Sequence, residues 1–244
     1  MADIRGLLFD KDGTLIDFFA TWGAAFRAVA DELARLAGAP ELADRLLLAG
    51  GYDPTSGTLD PDSLLACGTN DEIAALWARE PLLARIPDLR KLVGDGFERF
   101  SSRPVPVTDL PALFTRLRGR GLSLGLATND YTAFAHTTMA MLGIDHLVDF
   151  VAGADAGFGG KPGPGMLNGF CAATGLAPAQ VAMVGDSIAD LGMARTGSAG
   201  LAIAVLTGVA PRASLAPHAD HVLDSIAELE ALLDRVSSAQ SGVS

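Results

Sequence analysis

Residues 4–13 read Ile-Arg-Gly-Leu-Leu-Phe-Asp-Lys-Asp-Gly. The run IRGLLF at residues 4–9 is short, mostly apolar and followed by a polar turn, which predicts a buried β-strand. Asp10, Lys11, Asp12 and Gly13 follow at the carboxyl end of that strand. Because open α/β sheets bind ligands beyond the carboxyl ends of their strands, this turn is a candidate site.

Four later runs share this apolar character and alternate with segments of helical length. The alternation predicts an α/β fold with a doubly wound, mainly parallel, Rossmann-like sheet. We expect further strands at residues 122–127, 147–152, 181–185 and 201–205, and helices at residues 109–120, 131–142, 165–174, 188–196 and 225–236.

The long segment after the first strand has helical periodicity and no convincing strand. Amphipathic helices are expected at residues 18–37, 41–48, 71–80 and 82–100. We therefore predict an all-helical cap, residues 18–103, inserted into a catalytic core of residues 1–17 and 104–236. The polar residues 237–244 predict a flexible tail.

Composition constrains the partners and the compartment. A net charge of −11 disfavours nucleic acid and anionic membranes as partners, whereas a small phosphorylated metabolite is compatible with local positive charge. Cys67 and Cys171 lack metal or redox spacing, which predicts two reduced, buried thiols. With no targeting segment and no long uncharged apolar run, we expect a cytoplasmic protein, as a monomer or homodimer.

Asp10 and Asp12 are the first candidate catalytic pair. Two carboxylates about 4 Å apart repel by roughly 4 kcal/mol at an effective dielectric near 20, so the pair needs a cation, a proton or separation. Mg²⁺ prefers oxygen ligands and meets this need. One carboxylate can then attack phosphorus while the other handles a proton. For an isolated Asp-x-Asp-Gly, a polar turn without catalytic function is the alternative.

The run VAMVG at residues 181–185 ends in a second pair of aspartates. Asp186 follows the strand directly and is a candidate metal ligand. Asp190 lies one helical turn later. It either supports the residues around the metal or closes a capping box with Ser187, and the sequence favours neither interpretation.

The tripeptide Thr-Asn-Asp occurs twice, at residues 69–71 and 128–130. The second copy follows a predicted strand and precedes a helix, so Thr128 and Asn129 are candidates to bind an anion above the sheet. The first copy follows the poor strand LACG and opens a helix of the insertion. We therefore predict helix capping for the first copy and phosphate binding for the second.

Lys161 lies in the loop GGKPGP at residues 159–164. It is either a solvated surface charge or a cation that neutralises phosphoryl oxygens and nearby carboxylates. The glycine spacing differs from that of a P-loop. The four histidines show no metal-binding spacing and are interpreted as structural or surface residues: His136, His146, His218 and His221.

Taken in order, these segments resemble the four motifs of the haloacid dehalogenase superfamily. The resemblance covers the whole chain, since the insertion is similar to that superfamily's first type of helical cap and the later segments are similar to phosphoglycolate-phosphatase-like members. The motif residues are Asp10-Lys11-Asp12-Gly13-Thr14, Thr128-Asn129, Lys161-Pro162 and Gly185-Asp186-Ser187-Ile188-Ala189-Asp190.

The resemblance implies a Mg²⁺ site made of aspartates. By position, Asp10 would be the nucleophile and a metal ligand. Asp12 would be the general acid and base and would bind the metal through its backbone carbonyl. Asp186 would be the other carboxylate ligand, and Asp190 would support the metal site from behind.

The resemblance also assigns the phosphate-binding residues. Thr128 and the N–H of Asn129 would hold the phosphoryl group, and Lys161 would stabilise its charge. Lys11 departs from the family, which commonly has an apolar residue there. In an extended segment its side chain points away from the site, so we expect little effect on the chemistry.

The function predicted from these residues is a Mg²⁺-dependent phosphatase that acts through an aspartyl phosphate. Phosphoglycolate is the first candidate substrate, by resemblance alone. A phosphomutase of the same superfamily is an alternative that the core motifs do not separate. A non-enzymatic phosphoacceptor or regulatory domain is an alternative from another class, and the long insertion disfavours it.

Overall fold

The computed structural model describes residues 3–61, 63–100 and 103–241, and it divides the chain into two compact units. One unit is Met1–Phe18 together with Pro104–Ser244, and the other is Phe19–Arg103. The insertion predicted to begin at residue 18 thus begins one residue later.

Strands and α-helices alternate along the first unit, whereas the second unit has consecutive helices and one pair of consecutive strands. The strands are β1 (Gly6–Phe9), β2 (Tyr52–Asp53), β3 (Thr58–Leu59), β4 (Ser123–Ala127), β5 (Phe150–Ala152), β6 (Val181–Gly185), β7 (Leu201–Val205) and β8 (His221–Leu223). The α-helices are α1 (Ala24–Ala37), α2 (Leu42–Ala49), α3 (Leu64–Cys67), α4 (Asn70–Trp77), α5 (Leu89–Phe100), α6 (Leu110–Gly119), α7 (Thr132–Met141), α8 (Gly165–Thr174), α9 (Ile188–Thr196), α10 (Arg212–Leu215) and α11 (Leu229–Ser241).

The first unit contains a parallel six-stranded sheet with the order β5-β4-β1-β6-β7-β8. The chain adds β4 and β5 on one side of β1. It adds β6, β7 and β8 on the other side. The winding direction therefore reverses between β1 and β6, and a sheet of this kind binds its ligands at such a switch point. The predicted doubly wound α/β fold is confirmed.

Helices cover both faces of this sheet, because successive side chains of a strand point to opposite faces. Leu7 and Phe9 belong to a buried cluster that includes the apolar side chains of α6 and α11. Leu8 belongs to a second cluster with those of α8 and α9. Burial on both faces explains why the strands appear in the sequence as continuous apolar runs rather than alternating ones.

The second unit has an aromatic core of its own. The ring of Phe97 lies 6.0 Å from that of Trp77 and 5.8 Å from that of Phe26, measured between centroids. The indole Nε1 of the buried Trp77 donates a hydrogen bond of 2.8 Å to the carbonyl oxygen of Leu46. A buried indole N–H with a partner avoids the cost of an unsatisfied donor.

The prediction that this unit is all-helical is wrong at one place. Strands β2 and β3 pair in an antiparallel hairpin. The carboxylate of Asp53 accepts hydrogen bonds from the N–H of Thr55 at 2.8 Å and the hydroxyl of Ser56 at 2.9 Å, which closes the turn. Strands of two residues are too short to show an alternating pattern in the sequence.

The helix predicted at residues 82–100 is also interrupted. A 3₁₀ turn occupies Pro81–Leu83, and α5 begins only at Leu89. Pro87 disfavours helical backbone at Ile86, the residue before it. Asp88 then adopts a φ of 51°, which no continuous helix contains.

Two elements near the carboxyl terminus differ from the sequence-based prediction. Strand β8 was not predicted, because its three residues are too few for a periodic signal. Helix α11 continues through Ser241, so the predicted tail is wrong for residues 237–241. Residues 242–244 lie outside the described residues.

Cys171 is a free and buried thiol, as predicted. The side chain of Cys67 lies outside the described part of the structure. None of the helices in the described residues combines the length and the apolar character that a membrane span requires.

Candidate active site

The candidate residues of the first unit follow neighbouring strands. Asp10 follows β1, Thr128 follows β4 and Asp186 follows β6. Phe9, the last residue of β1, is in register with Leu126 of β4 and Val184 of β6. The three polar side chains therefore start from the same edge of the sheet, at the switch point.

Asp10, Asp186 and Asp190 form a buried acidic cluster. One carboxylate oxygen from each lies within 4.8 Å of the others. The three residues are 6%, 8% and 1% exposed. Three carboxylates at this separation repel one another strongly unless positive charge is close by.

Lys161 supplies part of that positive charge. Its Nζ lies 2.5 Å from Oδ1 of Asp10 and 2.6 Å from Oδ1 of Asp190, and it donates a further hydrogen bond of 3.1 Å to the carbonyl oxygen of Ala127. Its side chain is 4% exposed. Lys161 is therefore not a solvated surface charge, the alternative that its loop sequence had left open.

Asp190 closes the capping box that its sequence position suggested, and it also contacts Lys161. Its Oδ2 accepts hydrogen bonds from the N–H of Ser187 at 3.0 Å and from the Ser187 hydroxyl at 2.6 Å. The Ser187 oxygen in turn accepts the N–H of Asp190 at 3.2 Å, which completes a capping box at the start of α9. The other oxygen, Oδ1, contacts Lys161. The cap thereby fixes the carboxylate that holds the lysine.

Two glycines give the Asp186 carboxylate its space. A Cβ atom at Gly13 or at Gly208 would collide with that carboxylate. Gly13 also has a φ of +80°, in the left-handed region that favours glycine. The Thr207 hydroxyl donates a hydrogen bond of 2.6 Å to the Gly13 carbonyl and ties the two segments together. Gly208 was not among the predicted site residues.

The side chain of Asn129 holds the loop that carries Lys161. Its Oδ1 accepts the backbone N–H of Lys161 at 2.9 Å, and its Nδ2 donates to the Lys161 carbonyl at 3.5 Å. The sequence had suggested only the backbone N–H of Asn129 as a phosphate ligand. The side chain fixes where the lysine stem begins.

Thr128 is buried, at 2% exposed. Its Oγ1 accepts the backbone N–H of Asp130 at 3.1 Å. Accepting that bond leaves the hydroxyl hydrogen able to donate to an anion.

The side chains of Asp12 and Lys11 contact each other and lie outside the acidic cluster. The Asp12 carboxylate is not part of the acidic cluster, and its Oδ2 lies 2.9 Å from the Nζ of Lys11. The prediction that Lys11 points away from the site is wrong. The backbone is not extended here, because the Lys11 carbonyl accepts the N–H of Leu15 at 2.9 Å and of Ile16 at 3.2 Å in a tight turn.

Burial dominates the electrostatics of the cluster. It raises the pKa of Asp10 to about 7, although Lys161 lowers it, and the neighbouring Asp190 and Asp12 raise it further. Burial, then the charges of Asp10 and Asp190, raise the pKa of Asp186 well above its usual value. Burial lowers the pKa of Lys161, but Asp10 and Asp190 more than offset this and hold it above its usual value.

The cluster fits a divalent cation. It presents only carboxylate oxygens, the donors that Mg²⁺ prefers, and a single ammonium group contacts two of its three carboxylates. The glycines beside Asp186 keep its approach clear of side chains. Asp10 and Asp186 were predicted as ligands, and Asp190 is the third carboxylate of the cluster. Asp12 was predicted to bind the metal through its backbone carbonyl, which does not require its carboxylate to lie in the cluster.

Comparison with known proteins gives matches that cover most of the chain. A family model described as haloacid dehalogenase-like hydrolase matches residues 4–197. The chain is 29% identical to a phosphoglycolate phosphatase of Pectobacterium atrosepticum over 249 aligned residues, which cover 96% of this chain and 94% of that protein.

Solved structures show the same fold. A protein of Haemophilus somnus described as a predicted phosphoglycolate phosphatase has a TM-score of 0.70 at 18% identity, covering 95% of this chain and 99% of the other. A Thermotoga maritima protein described as a candidate β-phosphoglucomutase has a TM-score of 0.68 at 20% identity, with 96% and 100% covered.

Proposed function

The chain belongs to the haloacid dehalogenase-like hydrolases, and from this membership we propose that it is a Mg²⁺-dependent phosphatase of small phosphate monoesters that uses Asp10 as its nucleophile. The observation that carries the proposal is the Lys161 ammonium group held between Asp10 and Asp190 at the switch point of the sheet. Transfer of a phosphoryl group needs positioning and charge neutralisation, and this site supplies both.

The first chemical step places the phosphoryl group on Asp10. A carboxylate oxygen of Asp10 forms a bond to phosphorus while the bond between phosphorus and the ester oxygen breaks. The ester oxygen keeps the electron pair, takes a proton from the carboxyl group of Asp12 and leaves as an alcohol. Lys161 and the Thr128 hydroxyl stabilise the charge on the phosphoryl oxygens.

The second step returns both carboxyl groups to their starting states. A water oxygen forms a bond to phosphorus, and the Asp12 carboxylate takes the water proton. The bond between Asp10 and phosphorus breaks, its electron pair returns to Asp10 and orthophosphate leaves. Asp12 thus acts first as an acid and then as a base.

The metal is part of the proposal. Asp10, Asp186 and the backbone carbonyl of Asp12 would hold Mg²⁺, and Asp190 would support them through its capping box and Lys161. When bound, the ion neutralises charge on the phosphoryl oxygens and lowers the repulsion within the acidic cluster.

The curated relative supports phosphoglycolate as the first substrate to test, since it carries that name and aligns over nearly the full length of both chains. The predicted partners also stay proposals: a small phosphorylated metabolite, with neither nucleic acid nor membrane. A cytoplasmic location and a monomeric or homodimeric state stay predictions.

A screen of phosphate monoesters, with Mg²⁺ and with EDTA, tests the proposal. We expect turnover of phosphoglycolate and of p-nitrophenyl phosphate that EDTA removes, and no turnover in Asp10→Asn. The matched control is Asp149→Asn, which changes an aspartate paired with Arg118 just before β5, outside the cluster, and should retain the activity. Activity in Asp10→Asn equal to wild type would refute the proposal.

The two alternatives give different results in the same assay. A phosphomutase would release no free phosphate from a monophosphate in the absence of a bisphosphate activator. A phosphoacceptor domain would stay phosphorylated for hours without turnover. Steady release of orthophosphate excludes both.

A further inference from the structure

Lys11 is a buried cation outside the acidic cluster. Its side chain is 3% exposed. Its Nζ lies 2.9 Å from Oδ2 of Asp12 and 2.8 Å from Oδ2 of Asp130, so one ammonium group bridges two carboxylates. The side chains of Asp12 and Asp130 are partly exposed, at 24% and 28%. The lysine therefore joins the turn after β1 to the turn after β4 beneath the surface.

Asp130 is itself anchored at four atoms. Its backbone N–H donates to Thr128 Oγ1 at 3.1 Å, and its backbone carbonyl accepts the N–H of Ala154 at 2.9 Å. Its Oδ1 accepts the N–H of Tyr131 at 2.7 Å, and its Oδ2 accepts the Lys11 ammonium. The backbone around β4 and β5 thus fixes the point from which Lys11 is held.

We propose that Lys11 is a positioning residue, which orients the Asp12 carboxyl group for proton transfer by linking it to the anchored Asp130. The inference rests on the proposed function, in which Asp12 gives a proton to the leaving group. An aspartate side chain can adopt several rotamers. A charge-assisted hydrogen bond to a buried, doubly held ammonium restricts it to one. Misplacement by about 1 Å in a catalytic site can cost on the order of 10²-fold in rate.

The test uses substrates that differ in their need for an acid. Nitrophenolate leaves without a proton, whereas an alkoxide needs one in the transition state. If Lys11 positions Asp12, Lys11→Met lowers kcat/KM for alkyl monoesters by about tenfold more than for p-nitrophenyl phosphate, within the range of general acid catalysis. Over a series of aryl and alkyl esters, the dependence of kcat/KM on leaving-group pKa becomes steeper.

Two further variants separate positioning from stability. Asp130→Asn leaves Lys11 in place but removes the charge that holds it, and should steepen the same dependence by a smaller factor. It also tests the inference should Lys11→Met fail to fold. Arg118→Met is the matched control, because it removes a cation from the ion pair with Asp149 before β5. It should lower the melting temperature and leave the leaving-group dependence unchanged.

The possible outcomes are distinct. Equal loss for alkyl and aryl esters in both Lys11→Met and Asp130→Asn, or no loss in either, would overturn the positioning role. In either case wild-type turnover and the inactivity of Asp10→Asn would leave the proposed function standing. A wild-type protein without Mg²⁺-dependent phosphatase activity would overturn the proposed function and this inference together.

Discussion

The tripeptide Thr-Asn-Asp adopts two different environments in this chain. At residues 69–71 it opens α4: the Thr69 hydroxyl oxygen accepts the N–H of Glu72 at 3.2 Å, and the Glu72 carboxylate accepts the N–H of Thr69 at 2.8 Å. This is a capping box, and Asp71 forms an exposed ion pair with Arg90. The prediction that the first copy caps a helix is confirmed.

At residues 128–130 the same letters follow the buried strand β4. Thr128 is buried, the Asn129 side chain holds the loop of Lys161, and Asp130 holds Lys11. The side chains have the same hydrogen-bonding capacity in both copies. The two copies differ in the element that precedes them. Only the second copy follows a buried parallel strand, whose carboxyl end lies at the edge of the sheet where the site residues meet.

Replacing the threonine of each copy should separate the two roles most clearly. We expect Thr128→Val to lower kcat/KM by about 10²-fold, the cost of losing one donor to a charged transition state. Thr69→Val should leave kcat/KM unchanged and lower the free energy of unfolding by about 1 kcal/mol, because it removes a helix cap. Steady-state kinetics and urea unfolding measure the two effects. Equal activity in the two variants would remove the functional distinction between the copies.

Replacing the asparagine of each copy should give a smaller difference in activity between the two copies. Asn129→Ala removes the side chain that fixes the backbone of Lys161, so we expect kcat to fall by about tenfold through a loosened lysine. Asn70→Ala changes an exposed residue in the first turn of α4 and should leave kcat at its wild-type value. If both variants kept full activity, the contact between Asn129 and Lys161 would have no part in catalysis.

The two regions should also respond to pH in opposite directions. Burial raises the pKa of Asp10 to about 7 in the metal-free protein, so its stabilising contribution is present near pH 4 and is lost as the pH rises to about 7. The hydrogen bond from Arg90 lowers the pKa of Asp71, so that contribution is lost as the pH falls. We expect the melting temperature in EDTA to decline between pH 5 and 8 by about 2–4 °C for each kcal/mol lost.

Adding Mg²⁺ sharpens this pH contrast. A metal binds the deprotonated carboxylates, so Mg²⁺ should raise the melting temperature more at pH 8 than at pH 5. Asp71→Asn should show the same Mg²⁺ effect as wild type. A shift that is equal at both pH values would argue against metal binding by the acidic cluster.

The sequence predicted the parts of the site that depend on strand ends. Asp10, Asp186 and Thr128 each follow an apolar run, and parallel strands bring such positions together without further information. Asp190 was a candidate because it lies one helical turn beyond the strand end, where a carboxylate can close a capping box with Ser187.

The remaining contacts depend on side chains that cross between loops. Lys11 reaches Asp130 because the chain turns directly after Asp10. The alternation of side chains along an extended strand therefore does not predict where the Lys11 ammonium group lies. The Asn129 side chain meets Lys161 across 32 positions of sequence, and no local pattern encodes that distance. The hairpin of β2 and β3 and the strand β8 were missed because they are too short to show a period.

The most direct test of the account is the identity of the phosphorylated residue. In Asp12→Asn, p-nitrophenyl phosphate can still phosphorylate the enzyme, since nitrophenolate needs no acid, while hydrolysis of the intermediate slows for lack of a base. Acid quenching followed by mass spectrometry of the peptides should then find a hydroxylamine-sensitive phosphoryl group on Asp10. A phosphoryl group on another residue, or nitrophenol release without any labelled peptide, would contradict the account.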